Sequence, residues 1–308
     1  MASLGNPRIL SIGECMVELS PAGNGTYTLG YAGDTLNTAW YLRQELPAEA
    51  EVGYFTCVGT DDISAKMLAF LESAGIETAA ISRLTDRTLG LYLIELTNGE
   101  RSFAYWRSTS AAKLLAADEA PLRRALQGID MAYFSGITLA ILSPEHRKTL
   151  LGLLREARQA GTKIVFDPNL RPRLWASQSE MCAEISRAAT VADIVLPSFE
   201  DEASAFGDKT PLDTARRYAE GGAALVVAKN GAGEMAAISQ GNEPLLWTPP
   251  AVTKVVDTTA AGDSFNAGFL AAHLAGKTLP ESLTAGAKLA AKVIGHRGAL
   301  IPMGADPV

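Results

Sequence analysis

The sequence predicts an α/β protein: a mainly parallel central sheet covered by helices on both faces, with a small β lid. Three observations carry this expectation. The chain has 308 residues, 47% apolar and 20% charged, an ordinary globular composition with enough length for a full core. Short apolar runs alternate with helix-period segments along most of it, the pattern of repeated βα units. One stretch breaks the alternation with two strand-like runs around Asn98-Gly99, a strong hairpin signal.

Arg8–Ile12 reads as the first strand and Asp34–Glu45 as the first helix. Val52–Val58 is strand-like and Ser64–Ser73 helix-like. Three further pairs repeat the theme: Met131–Ser135 with Ser143–Ala160, Lys163–Asp167 with Glu180–Ala189, and Ile194–Leu196 with Phe199–Phe206. Leu225–Lys229 is a short apolar strand, and Gly262–Ala275 and Glu281–Ile294 are closing helices. Thr88–Leu96 and Arg101–Arg107 flank the Asn-Gly turn, so Leu89–Arg107 is expected to form an antiparallel ribbon. Met16–Leu19 and Tyr27–Tyr31 can add strands to it. At about 150 residues per domain the length allows two domains or one large one. No low-complexity linker interrupts the alternation, which favours a single domain over 1–308 with a lid built from about 14–32 and 88–108.

Charge and cysteine content narrow the function. Lys plus Arg number 27 against 34 Asp plus Glu, a net charge of −7 without a basic run, so nucleic acid and anionic membrane are poor partners. Cys15, Cys57 and Cys182 are too few and too widely spaced for a disulfide framework or a zinc knuckle. MASLGNPR has no signal-peptide pattern and no run of 18 apolar residues occurs, so a cytoplasmic setting is expected.

The most informative segment is VVDTTAAGDSFNAG, residues 255–268. A strand-like run ends at Asp257, small residues follow, and Gly262-Asp263 opens an apolar helix. Small side chains let a phosphate approach the backbone, and a helix N-terminus favours an anion. A carboxylate at Asp263 can take a proton from an attacking hydroxyl. Spacing alone leaves a second reading open, with Asp263 as a helix cap.

DTTAAGDSFNAG resembles the C-terminal signature, DTxGAGD, of the ribokinase-like carbohydrate kinases, the pfkB family; Ala260 stands where glycine is usual. The resemblance implies a three-layer α/β/α sandwich. It also implies Asp263 as base, an anion hole from Ala260, Ala261, Gly262 and Asp263, and a monovalent-cation position at Asp257 and Thr259. AGDTLNTA, residues 32–39, resembles the family's GGAxxN motif, with Gly33 allowing close backbone approach and Asp34 and Asn37 bonding sugar hydroxyls. The family's NxxE falls on Ser198–Asp201 in LPSFEDE. Its amide is replaced by Ser198, and Asp201 and Glu202 are left as magnesium-network candidates. KNGAGE, residues 229–234, supplies Lys229, Gly231 and Gly233 for a turn against nucleotide phosphates, and Asn169 and Arg171 are placed on the same nucleotide side. Gly276-Lys277-Thr278 is not a phosphate loop, because Ala271 occupies its first glycine position.

The lid strings GLYLIE and FAYWR, with AGDTLNT and DPNLRPRLW, resemble the 2-keto-3-deoxygluconate kinases of that family. Arg107 and Arg171 are expected to converge on a substrate carboxylate, with contact to ATP phosphates as the other reading. Tyr92 and Tyr105 are expected to pack on and hydrogen-bond the sugar acid. The implied reaction is phosphorylation of 2-dehydro-3-deoxy-D-gluconate at its 6-hydroxyl by ATP with Mg2+, with K+ as a further candidate. Alternatives are another sugar kinase, such as a fructokinase, and a non-catalytic sugar-acid-binding regulator. An ordinary aspartate pKa of ~3.9 leaves Asp263 ionised, so no raised value is required. An exposed lid edge offers a place for a second copy in a homo-oligomer.

Overall fold

The computed structural model describes residues 6–97 and 100–301; the Asn98-Gly99 turn lies outside the described residues. The central sheet has eight strands. In spatial order they are Leu245–Trp247, Met235–Ser239, Leu225–Ala228, Ile194–Val195, Lys163–Asp167, Met131–Ser135, Arg8–Ile12 and Glu51–Phe55. The six from Leu225–Ala228 to Glu51–Phe55 pair in parallel, and the first two add an antiparallel edge.

Alternation along these strands builds the layers. Ile9, Met131, Tyr133 and Val165 point into one core with Leu36 and Leu42 of helix Asp34–Glu45 and Phe265 and Phe269 of helix Ala261–Leu274. Leu10, Ile12, Phe134 and Phe166 point into the other, with Leu150 and Leu154 of helix Pro144–Gln159 and Ile185 of helix Gln178–Ala189. A strand buried on both faces reads as a continuous apolar run, as in MAYFS.

Sequence and structure differ in places. Val52–Val58 is two strands. Glu51–Phe55 joins the main sheet, and after Thr56 the chain turns so that Cys57–Gly59 pairs with Ser82–Leu84. Hydrophobic periodicity cannot register a change of partner within one apolar run. Helix Pro211–Glu220 and the two antiparallel edge strands were also not read from the sequence.

The lid is a four-stranded sheet in the order Thr26–Ala32, Met16–Gly23, Leu91–Thr97, Glu100–Trp106. The last two strands pair antiparallel from Leu91–Trp106 to Thr97–Glu100, and Thr88–Gly90 lies outside the strand. Met16, Tyr92 and Ile94 on one lid face pack with Ala32, Ala299 and Ala260. That face therefore lies over the loop that opens helix Ala261–Leu274.

Candidate active site

Among the described residues, seven of ten α-helices begin with a side chain that accepts a first-turn N–H, as Asp61, Ser143 and Thr278 do. The three without such a cap follow Gly33, Ser198 and Ala260. These are the segments that carry the sequence motifs. An uncapped N-terminus leaves N–H groups and the positive dipole end for an outside anion. Gly33 is required by packing, since a Cβ there would stand 2.1 Å from the Glu14 carbonyl oxygen.

Asp263 is the third residue of its helix and does not cap it. Its Oδ2 accepts a hydrogen bond from Asn37 Nδ2 at 2.7 Å, which joins the two motifs across 226 residues of sequence. Asp34 Oδ2 accepts from Asn169 Nδ2 at 2.7 Å, which ties Asn169 to the sugar motif. Burial, with Asp34 and Asp167 nearby, pushes the Asp263 carboxyl up to about 8; the Asn37 hydrogen bond and the Lys229 charge act against this. Burial also raises the Asp34 carboxyl. The expectation of an ordinary aspartate fails because the carboxyl is drawn partly out of water beside the carboxylates of Asp34 and Asp167. A base whose proton affinity lies near the working pH suits proton abstraction better than an ordinary carboxylate.

Ala260 precedes this helix at φ 59°, ψ 16°, the left-handed region. An L-residue there costs about 1–2 kcal/mol, whereas glycine fits without penalty. Asp257 Oδ1 accepts from both the N–H and the Oγ1 of Thr259, and its Oδ2 accepts from the Gly298 N–H. The cation candidates Asp257 and Thr259 thus brace the loop that holds Ala260 in place.

The lid side departs from expectation. Arg107 Nη2 pairs with the buried Glu14 carboxylate, whose other oxygen accepts from Ser110 Oγ. Arg171 lies 3.7 Å from Asp201 and donates to its neighbour's carbonyl, Leu170 O. Each guanidinium already has a protein carboxylate beside it, so neither is a bare charge that a substrate carboxylate must neutralise. The Tyr92 hydroxyl donates to Glu18, and its ring lies 5.9 Å from that of Tyr105, which is exposed.

Asp201 and Glu202 separate. Burial raises the Asp201 carboxyl against the pull of Arg171. Glu202 is fully buried, accepts from Tyr218 at 2.9 Å and pairs with Arg217 at 2.7 Å. Adjacent helix positions point about 100° apart, so only one of the two carboxylates can face Arg171. Burial pushes the Glu202 carboxyl up to about 7 despite Arg217. Glu202, sealed in the core by Arg217 and Tyr218, therefore does not face a magnesium site as its position beside Asp201 implied.

Beyond strand Leu225–Ala228, Gly231 turns the chain at φ 52° and Gly233 N–H closes the turn on Asn230 O at 2.8 Å. Ser198 bridges to Lys229 through the backbone. The Lys229 ammonium is turned inward, away from this turn, onto Asp167 and Asn266.

Comparison with known proteins accounts for the pairing of the two motifs. The family model "pfkB family carbohydrate kinase" matches residues 6–305. The chain belongs to the pfkB family of carbohydrate kinases. It is 42% identical to the 2-dehydro-3-deoxygluconokinase of Escherichia coli K12 over 97% of this chain and 99% of that protein. It is 40% identical to the Haemophilus influenzae protein of the same name, over 96% and 95%. Among solved structures, the PfkB protein of Polaromonas sp. JS666 superposes with a TM-score of 0.81 at 29% identity, covering 94% of this chain and 96% of that one. The 2-dehydro-3-deoxygluconokinase of Thermotoga maritima, at 19% identity and TM-score 0.82, shares the ribokinase-like fold.

Several polar groups of this pfkB chain were missed from the sequence: Glu14, Glu18, Tyr133, Asp167 and Asn266. Asp167 carried a usable signal, because it ends a parallel strand at the sheet's carboxyl edge, where ligands of open α/β sheets bind. The others carry no local signal, since their partners are remote in sequence.

Proposed function

We propose that this chain phosphorylates 2-dehydro-3-deoxy-D-gluconate at the 6-hydroxyl, with ATP as donor, giving the 6-phosphate and ADP. The observation that carries the reading is Asp263: a partly buried carboxylate in the first turn of an uncapped helix, hydrogen-bonded to Asn37 of the sugar motif. The names of the relatives supply the substrate class.

Asp263 accepts the hydroxyl proton as the oxygen attacks the γ-phosphorus, and the N–H groups following Ala260 receive the charge of the moving phosphoryl group. Asp34, Asn37 and Gly33 hold the sugar hydroxyls. The lid places Tyr92 and Tyr105 over the sugar and excludes water. Arg107 reads the substrate carboxylate: a guanidinium has five N–H donors, so one paired with Glu14 still has an edge to offer.

The nucleotide phosphates lie between the Ala260 loop and the Gly231 turn, with Arg171 beside them. A magnesium ion would be carried by the nucleotide phosphates and water, with Asp201 as the nearby protein carboxylate. Bound magnesium neutralises phosphate charge. Any potassium dependence is assigned to the Asp257–Thr259 loop.

A coupled ADP-release assay with ATP and Mg2+ tests this on 2-keto-3-deoxygluconate, 2-keto-3-deoxygalactonate, fructose, ribose and gluconate. A strong preference for the first is expected. Preference for a neutral sugar overturns the role of Arg107, and binding without turnover overturns the kinase reading.

A further inference from the structure

Beneath the first turn of helix Ala261–Leu274 lies a buried polar cluster that the motifs did not reveal. Asn266, one turn beyond Asp263, has no exposed surface. Its Nδ2 donates to Asp167 Oδ2 at 2.7 Å and to Tyr133 Oη at 3.1 Å, and its Oδ1 accepts from Lys229 Nζ at 2.9 Å. Lys229 Nζ also lies 3.3 Å from Asp167 Oδ2, and both side chains are buried. The ammonium stands 3.7 Å from where a Cβ on Gly262 would be, so it is packed against the backbone of the helix's first turn.

The titratable groups around Asp263 come from four elements. Asp34 and the Tyr41 phenol come from helix Asp34–Glu45, and the Tyr133 phenol comes from its strand. Asp167 ends its own strand, and Lys229 follows the next-but-one strand. Asp34 and Asp167 oppose ionisation of Asp263, while Lys229 and the positive helix terminus favour it. A lysine ammonium at a helix N-terminus is unfavourable by itself. Here Asn266 and Asp167 grip it from two sides. A long side chain so placed costs rotamer freedom and desolvation, which a surface lysine would not incur.

We infer that Lys229, held by Asn266 and Asp167 under the anion-hole helix, is a positioning residue whose charge governs whether Asp263 can act as base. This rests on the proposed kinase reading only for its kinetic consequence; the proton equilibrium of Asp263 stands apart from it.

The test uses two variants with opposite expected signs. Lys229→Met removes the cation. The Asp263 titration midpoint, followed by carboxyl 13C NMR on the unliganded protein, should rise by about one pH unit. kcat/KM at pH 7 should then fall about tenfold. Asp167→Asn removes a like charge while keeping its shape, and should lower the same midpoint by about one pH unit. General damage to the fold would not move the two in opposite directions, and if Lys229→Met does not fold, the neutral Lys229→Gln is read in its place. Midpoints that stay put, or that move the same way, overturn the inference. So does a Lys229→Met enzyme changed only in its KM for ATP, because that would make Lys229 a nucleotide contact. If the wild-type protein turns over none of the sugars, the kinase reading fails while the NMR midpoints still judge this cluster.

Discussion

Replacing Asp263 by asparagine should abolish most activity and make the protein more stable at neutral pH. The folded carboxyl sits at about 8, against an ordinary 3.8. At pH 7 the unfolded chain has released this proton and the folded one still holds it. Proton uptake across roughly three pH decades costs folding about 4 kcal/mol at ~1.4 kcal/mol per decade. The sign follows from the raised value: the folded state binds more protons, so stability falls as pH rises from about 4 to about 8. An amide carries no such penalty and can still accept the Asn37 hydrogen bond. Its new N–H groups need acceptors beside Asp34 and Asp167, so a net gain of about 2–4 kcal/mol at pH 7 is expected. Loss of the base should reduce kcat by about 10²–10⁴-fold with ATP binding nearly unchanged. Urea unfolding at pH 4.5 and pH 7.5, with ADP release on the same samples, checks both. The stability gain should be present at pH 7.5 and nearly absent at pH 4.5. A gain independent of pH, or an active variant, refutes the reasoning. In the wild-type enzyme, kcat/KM should rise with pH towards a midpoint near about 8, as the free enzyme's base loses its proton.

Three further outcomes are expected. Ala260→Gly should relieve the left-handed alanine and stabilise the protein by about 1 kcal/mol, read as a higher urea midpoint at constant slope; a lower midpoint would place the strain elsewhere. Arg107→Ala should raise the KM for the keto-acid at least about tenfold more than that for a neutral sugar. The double variant with Glu14→Gln, which removes the buried charge left behind, should keep that ratio, and equal changes on both substrates would take Arg107 away from the carboxylate. Arg217→Ala strands Glu202 in the core and should cost about 3–5 kcal/mol without changing KM for either substrate; a changed KM for ATP would return Glu202 to the nucleotide site.

Much of this protein was legible in its residue order. Strands Arg8–Ile12, Met131–Ser135 and Lys163–Asp167 and helix Asp34–Glu45 sit at the residues their periodicity marks, because side-chain alternation and helical repeat are local properties. The Asn37–Asp263 pair was foreshadowed by two short motifs, each tied to one uncapped helix. What the sequence could not determine is which charges meet. Glu14 reaches Arg107 across 93 positions, and Lys229 reaches Asp167 across 62. Glu202 turned into the core while its neighbour Asp201 stayed near Arg171. The proton affinity of Asp263 belongs to the same class. A carboxylate's charge state depends on the water it has lost and the charges brought against it, and both are set by packing between elements remote in sequence.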